Sequence, residues 1–89
     1  MGLDTVEILL WAEKEFGIAI THADAGEVST VGGFTLLIYH LMLAQHGLKN
    51  TTSEEIIYNK IKALLIKQYG IKESQISRDA KFIQDLRLD

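Results

Sequence analysis

Three apolar stretches with helical spacing, each ending at a glycine, constrain the fold of this chain more than any other feature. They end at Gly17, Gly47 and Gly70, and the chain contains no proline that would interrupt a helix. Glycine is favoured just after the last turn of a helix, because it has no Cβ to oppose the left-handed conformation that closes the turn. The pattern predicts three main helices within 89 residues, which is the length of one small domain.

The first predicted helix runs from about Leu3 to Phe16, and the second runs from Phe34 to His46. In the first helix, apolar side chains recur at helical spacing, and we expect this set to face the core: Leu3, Val6, Leu9, Leu10 and Phe16. Residues 17–33 are predicted to form a loop with at most one or two helical turns, because they are rich in glycine and small polar residues.

The third predicted helix begins in the sequence TSEE, where Thr52 and Glu55 have the spacing of a capping box. Its buried side is expected to carry Ile56, Ile57, Leu64 and Leu65. Residues 71–89 are predicted to be a long loop that is anchored by apolar side chains: Ile71, Ile76, Phe82, Ile83, Leu86 and Leu88. Together these segments predict an all-α fold, a small four-helix bundle of three main helices plus one short helix.

Several classes of function are disfavoured by what the chain lacks. Without cysteine, it has neither disulfides nor thiolate metal ligands. The histidines, His22, His40 and His46, have no clustered carboxylates beside them, and we expect no metal site. No run approaches the ~18 apolar residues of a membrane span, so we expect a cytoplasmic protein that does not enter membranes. The sequence VGGF lacks the lysine of a phosphate-binding loop, and no catalytic dyad can be assembled, so we do not expect an enzyme.

Charge is distributed unevenly along the chain. Residues 1–48 carry six acidic side chains against one lysine, whereas residues 49–89 carry eight Lys or Arg against six Asp or Glu. An acidic first half argues against a nucleic-acid partner and suits a basic protein partner. An ordinary solvated acidic face explains the charge equally well, so charge alone leaves both interpretations open.

When residues 53–89 are read before residues 1–48, the stretch that contains Phe82, Asp85 and Leu86 is followed by LDTVEILLWAEKEFGIAI. In this order the sequence resembles an acyl carrier protein, a member of the phosphopantetheine-binding carrier family. The stretch ending in KFIQDLRLD is similar to the family's first long loop, with its F-x-x-D-L segment at Phe82, Asp85 and Leu86. The stretch LDTVEILLWAEKEFGIAI is similar to the family's partner-recognition helix. The resemblance covers nearly the whole chain, apart from the connector at residues 49–52.

The resemblance implies one domain over residues 1–89 with its halves in circularly permuted order. Residues 1–48 match the family's second half and residues 53–89 match its first half. A permuted monomer is the favoured arrangement, because a short connector can join neighbouring helix ends. A domain-swapped dimer and a fragment of tandem carrier domains, which would regain a serine in its full-length context, remain the alternatives.

In this family an Asp-Ser-Leu motif carries 4′-phosphopantetheine on its serine hydroxyl. Asp89 matches the aspartate and Leu3 the leucine, but Gly2 occupies the place of the serine. Transfer of the group requires an oxygen nucleophile, and glycine has none. The resemblance therefore implies a carrier-like domain that does not accept the cofactor expected for the family.

The resemblance also implies a recognition surface on the first helix. Its acidic residues would meet basic surfaces of acyl-carrier-dependent enzymes, synthases and transferases, in fatty-acid or polyketide biosynthesis. The candidate contacts are Asp4, Val6, Glu7, Trp11, Glu13 and Glu15, with Leu3 as a further apolar contact. Solvation of an ordinary helix is the alternative explanation of the glutamates, against which the resemblance favours recognition. For Trp11, packing in the core or over the acyl-chain space is favoured over docking. A protein-interaction module that carries no cargo remains the alternative function.

Overall fold

The computed structural model describes residues 3–88 of the chain. The helices in this part are α1 (Leu3–Phe16), α2 (His22–Gly26), α3 (Val31–His46) and α4 (Glu54–Tyr69). Short 3-10 turns occupy Leu48–Asn50 and Glu73–Gln75. The described residues form no strand, only an isolated antiparallel bridge between Thr30 and Lys81. The predicted all-α bundle of three main helices and one short helix is therefore confirmed.

The predicted glycine stops are confirmed at all three main helices. Gly17, Gly47 and Gly70 follow α1, α3 and α4 directly, and each has a positive φ. Gly70 is in the left-handed region with φ of 66°, and its N–H donates to the carbonyl of Leu65. This closes the last turn of α4 by the expected mechanism.

The predicted start of α3 at Phe34 is wrong by one turn, because the helix already begins at Val31. Thr30 caps it, and its Oγ1 accepts the N–H of Gly33 at 3.0 Å. Gly32 and Gly33 suggested a loop on propensity alone. The cap and the tertiary hydrogen bonds to Arg78 and Ala80, in the loop of residues 76–88 (the late loop), outweigh that propensity.

The predicted capping box of α4 is also wrong. Ser53 is the N-cap residue, and its Oγ accepts the N–H of Ile56 at 3.3 Å. Thr52 therefore lies one residue outside the cap. Serine and threonine are both favoured at this position, so sequence alone does not choose between neighbours.

The expected buried face of α1 is confirmed in part, because Phe16 is buried and Leu9 is half-buried against the core. Ile8, Ala12 and Phe16 are buried, whereas Val6 and Leu10 are 38% and 58% exposed. Val6 and Leu10 each lie two residues from Ile8, which is about 200° around the helix, so they face away from the core. The apolar pattern of α1 covers two faces, and only packing shows which one is buried.

In α4 and the tail, most of the expected core residues are confirmed. Ile57 and Leu65 are buried and Leu64 is half-buried, whereas Ile56 is exposed, contrary to expectation. In the tail Ile83 is 60% exposed, also contrary to expectation, and the other predicted anchors are buried: Ile71, Ile76, Phe82, Leu86 and Leu88.

The core forms where α3 packs along α4, with α1 and the tail closing over it. Its most deeply buried large side chains are Phe34, Ile38, Ile57, Ile61 and Leu65. The radius of gyration of 12.2 Å equals the roughly 12 Å expected for a folded chain of this length. None of the helices in residues 3–88 has the length and hydrophobicity needed to cross a bilayer.

Candidate functional site

A cavity of about 320 Å³ lies beneath the first half of α1. Side chains from α1, α2 with its following turn, α3 and the late loop form its walls. The apolar part consists of Ile8, Leu9, Ala25, Val28, Phe34, Phe82 and Ile83. The volume lies at the lower end of the range of about 300–1,000 Å³ that is typical of small-molecule sites.

The wall contributed by the late loop is held in place by backbone hydrogen bonds. The Phe82 N–H donates to the Ser29 carbonyl at 3.0 Å, and the Leu88 N–H donates to the Phe82 carbonyl at 2.8 Å. The Phe82 ring packs edge-to-face on Phe34, with 5.8 Å between ring centroids. The pocket therefore has a fixed wall although the loop contains no α-helix or strand.

The rim of the pocket is polar, and one cation lies on it. Thr5, Ser29, Lys81 and Gln84 contribute to this rim. The backbone N–H of Lys81 donates to Asp85 Oδ2 at 2.8 Å, which orients the residue. Within residues 3–88 the Lys81 ammonium has neither an ion-pair nor a hydrogen-bond partner. A positive charge is thus available at the mouth of an apolar space.

Two of the predicted recognition carboxylates are engaged within the molecule. Glu13 accepts the N–H of Ile20 through Oε2 at 2.8 Å. Glu15 forms an ion pair with Lys60 of α4 at 2.9 Å. Both groups support the packing of α1 on its neighbours, and neither is presented freely to a partner.

The other two predicted carboxylates lie in the first turns of α1. Glu7 Oε1 accepts the phenol of Tyr69 at 3.2 Å, and Asp4 is half-buried. Burial of the phenol, followed by the hydrogen bond to Glu7 and the charges of Glu7 and Asp4, raises the pKa of Tyr69 above its ordinary 10.0. Glu7 follows the exposed Val6 on the outer side of α1, whereas Asp4, two residues before Val6, lies about 200° away from it around the helix.

The remaining predicted site residues lie apart from this surface or outside the described part. Trp11 is half-buried, packs edge-to-face on Phe16 at 5.6 Å, and lies in a groove between α1 and α4. Gly2 and Asp89 lie outside the described residues, and for Leu3 the structure gives only its position at the start of α1. No group of three potential metal ligands occurs in the part that the structure describes.

Sequence reasoning missed the contacts that join distant segments. His46 Nε2 lies 2.6 Å from the Gly17 carbonyl, and the Gln45 side chain exchanges two hydrogen bonds with the backbone of Ala19. Sequence reasoning also did not identify Lys81 as a pocket residue. Neither feature follows from local patterning, because both depend on which segments meet in the folded chain.

The chain matches no protein-family model, and no solved structure gives a significant match. Its function must therefore be inferred from the α1 surface and from the pocket beneath it.

Proposed function

We propose that this chain is an acyl-carrier-like domain of fatty-acid or polyketide biosynthesis. It docks through α1 on basic surfaces of acyl-carrier-dependent enzymes, and it does not itself carry 4′-phosphopantetheine, because Gly2 offers no hydroxyl. It acts as a binding partner of these enzymes and has no catalytic role of its own.

The observation that carries the proposal is the outward face of the first turns of α1. Val6 and Leu10 are exposed at i, i+4 spacing, and the exposed carboxylate of Glu7 lies beside them. An apolar centre with a charged rim is the general composition of a protein-binding surface. Acidic rim groups set the rate of encounter with a basic partner more than the final affinity.

The position of the two chain halves supports the permuted order. Thr5 and Ile8 from the first half and Phe82 and Ile83 from the second half line the same cavity. Residues near the two ends of the sequence are therefore close in space. Such proximity is what allows a fold to be cut at one place and joined at another.

The proposal is tested by restoring the missing hydroxyl. The chain and its Gly2→Ser variant are incubated with coenzyme A and a broad-specificity phosphopantetheinyl transferase, and intact mass is measured. We expect no gain for the unchanged chain and one phosphopantetheine on the variant. Gly26→Ser is the matched control, because a side chain there meets nothing within 4 Å, and it should gain none. A Gly2→Ser variant that stays unmodified would contradict the proposal, as would modification of the unchanged chain.

Docking through α1 is tested in the Gly2→Ser background. Leu10→Ser should slow the modification, because it removes the apolar centre of the α1 surface without opening the core. Leu36→Ser is the control, since Leu36 is an exposed apolar residue on α3. Equal slowing by both substitutions would show that α1 is not the docking surface.

A further inference from the structure

We propose that two copies of this chain associate through the outward face of α3. This face packs antiparallel on the same face of the second copy, about a two-fold axis at His40. The two domains stay intact, so the association does not exchange chain halves. The surface uses no residue of α1, so it is separate from the docking surface proposed above and does not depend on Gly2.

The outward face of α3 is apolar and open to solvent at its centre. His40 is exposed and lies two residues from both Ile38 and Met42, which are buried, so it is about 200° from them around the helix. Leu36, one turn earlier, is 46% exposed. An exposed apolar patch of this kind commonly marks a surface that another molecule covers. The face consists of Gly33, Leu36, Leu37, His40, Leu43 and Ala44, with Gly47 just past the last turn.

The lack of charge on α3 limits what can cover this face. The helix Val31–His46 contains no Asp, Glu, Lys or Arg in its sixteen residues. The exposed residues of α1 and α4, in contrast, include charged ones such as Glu7, Lys14 and Lys67. A charged partner would lose water from its charges on α3 without gaining an ion pair. A second copy presents an equally uncharged face, so the two faces are compatible.

The order of residues on this face is nearly the same in both directions from His40. Three residues away lies a leucine on either side, Leu37 and Leu43. Seven residues away lies a glycine on either side, Gly33 and Gly47. In an antiparallel pair about a two-fold axis, residues at equal distances from the axis meet. Leucine therefore meets leucine, and glycine meets glycine at the two ends, which makes the face complementary to itself.

The residues four positions from His40 are complementary in size. The large Leu36 lies on one side and the small Ala44 on the other. In the antiparallel pair the leucine of each copy packs on the alanine of the other, as a ridge in a groove.

The area of the face determines the strength of the association. One third of the surface of a helix about 24 Å long and about 11 Å wide is roughly 280 Å², so two copies bury about 550 Å². Stable interfaces bury about 1,200–2,000 Å². We therefore expect a weak dimer, with a dissociation constant of about 0.1–1 mM. At micromolar concentrations the chain is a monomer.

The test is sedimentation equilibrium of the unchanged chain from about 20 µM to about 2 mM, a range that includes the expected dissociation constant. We expect the average mass to rise with concentration from 10.0 kDa toward twice that value. Amide shifts of the ¹⁵N-labelled chain should change over the same range at Leu36, His40 and Ala44, and stay constant at Val6 and Leu10. A mass of 10.0 kDa at every concentration, or shift changes that centre on α1, would overturn the proposal.

A charge placed on the face should abolish the association. Leu36→Glu should keep the mass of the monomer at the highest concentration, because two copies would each have to bury an unpaired carboxylate. Ile56→Glu is the matched control, since Ile56 is 48% exposed on α4, and it should associate like the unchanged chain. Far-ultraviolet circular dichroism checks that both variants are folded. Equal loss of association in both variants would show that α3 is not the contact surface.

The position of the two-fold axis is tested with opposite charges. His40→Glu and His40→Lys should each associate at least about tenfold more weakly than the unchanged chain, because like charges meet across the axis. An equimolar mixture of the two should associate more tightly than either variant alone, because opposite charges then meet. Asn59→Glu and Asn59→Lys are the controls, since Asn59 is exposed on α4, and neither they nor their mixture should differ from the unchanged chain. A mixture of the His40 variants that is no tighter than its components would overturn the symmetric contact.

A lipid surface is the other kind of partner that an uncharged apolar face could meet. Helices that lie on membranes are usually rich in Lys and Arg on their polar face, and α3 has neither. We therefore expect no binding to phosphatidylcholine vesicles. Vesicle binding that is lost in Leu36→Glu, without self-association of the unchanged chain, would overturn the proposal. Phosphopantetheine transfer to Gly2→Ser is measured on the micromolar chain, which is a monomer, so the carrier proposal and the association proposal fail separately.

Discussion

At the scale of single residues, Gly32 is the position where the fold leaves least room. A Cβ built on Gly32 would lie 2.8 Å from the carbonyl oxygen of Arg78, a distance that real Cβ atoms essentially never show. The Gly32 N–H donates to that same oxygen at 2.8 Å. The glycine is thus required by the close approach of two backbones.

We predict that Gly32→Ala destabilises the fold by about 1–3 kcal/mol, the usual cost of overpacking. Alanine has the better helix propensity, by about 1 kcal/mol, but the clash is with backbone and cannot be relieved by a rotamer change. Urea unfolding measures the difference. Gly26→Ala is the control, because open space surrounds Gly26, and it should leave stability unchanged or raise it slightly. A Gly32→Ala variant as stable as the unchanged chain would refute the close approach.

Tyr69 predicts how the stability of the fold depends on pH. Its pKa is raised above 10.0 by burial and by Glu7 and Asp4, so the folded chain holds this proton where the unfolded chain loses it. The contribution of Tyr69 to the free energy of unfolding is therefore fully present below about pH 10. It is lost as the pH rises from 10.0 through the pKa of the folded state. Glu7→Gln should lower the pKa of Tyr69, because it removes a negative charge beside the phenolate. NMR titration of the Tyr69 ring measures this, and an unchanged or higher pKa in the variant would contradict it.

At the scale of elements, the start of α3 depends on residues from elsewhere in the chain. The Val31 N–H donates to the Ala80 carbonyl at 3.0 Å, Gly32 donates to Arg78, and Thr30 caps Gly33. Three of the N–H groups that a helix leaves unpaired at its start are thus satisfied. The late loop is both a wall of the cavity and the cap of the central helix.

Replacing the cap should cost measurable stability. We predict that Thr30→Ala lowers the free energy of unfolding by about 1 kcal/mol, because the Gly33 N–H loses its side-chain acceptor. Thr30→Ser keeps the hydroxyl and should stay within a few tenths of a kcal/mol of the unchanged chain. Denaturant unfolding of the three proteins measures this. Equal losses in the alanine and serine variants would point to packing of the Thr30 methyl group instead of the cap.

At the scale of the whole molecule, local signals predicted the elements and tertiary contacts determined the rest. Glycine stops and apolar spacing were sufficient for the helical class and for the bounds of α1. They identified Phe16 and Leu9 as core residues of α1 but also included Val6 and Leu10, which are as apolar as Ile8. They also placed Ile83 in the core, although it is exposed. The cavity and its lysine could not be predicted, since they form only where segments distant in sequence meet.

The proposed permutation predicts that the order of the halves can be reversed. A rearranged chain would begin at Ser53, run through Asp89, continue through a serine to Leu3, and end at Leu48. We expect the same helical content, a monomer in light scattering, and acceptance of one phosphopantetheine. The same rearranged chain with glycine in place of that serine should fold equally well and accept none. A rearranged chain that is unfolded would contradict the proposed relation between the halves.

The hydrogen bonds at the start of α3 also set an order of events during synthesis. Residue 80 follows residue 31 by about 2–10 s at the usual 5–20 residues per second. Until residues 78–82 leave the ribosome, the Val31 and Gly32 donors have only water as a partner. The first turn of the central helix is thus completed late, and a ribosome stalled before residue 78 should hold a chain in which that turn is readily cut by proteases.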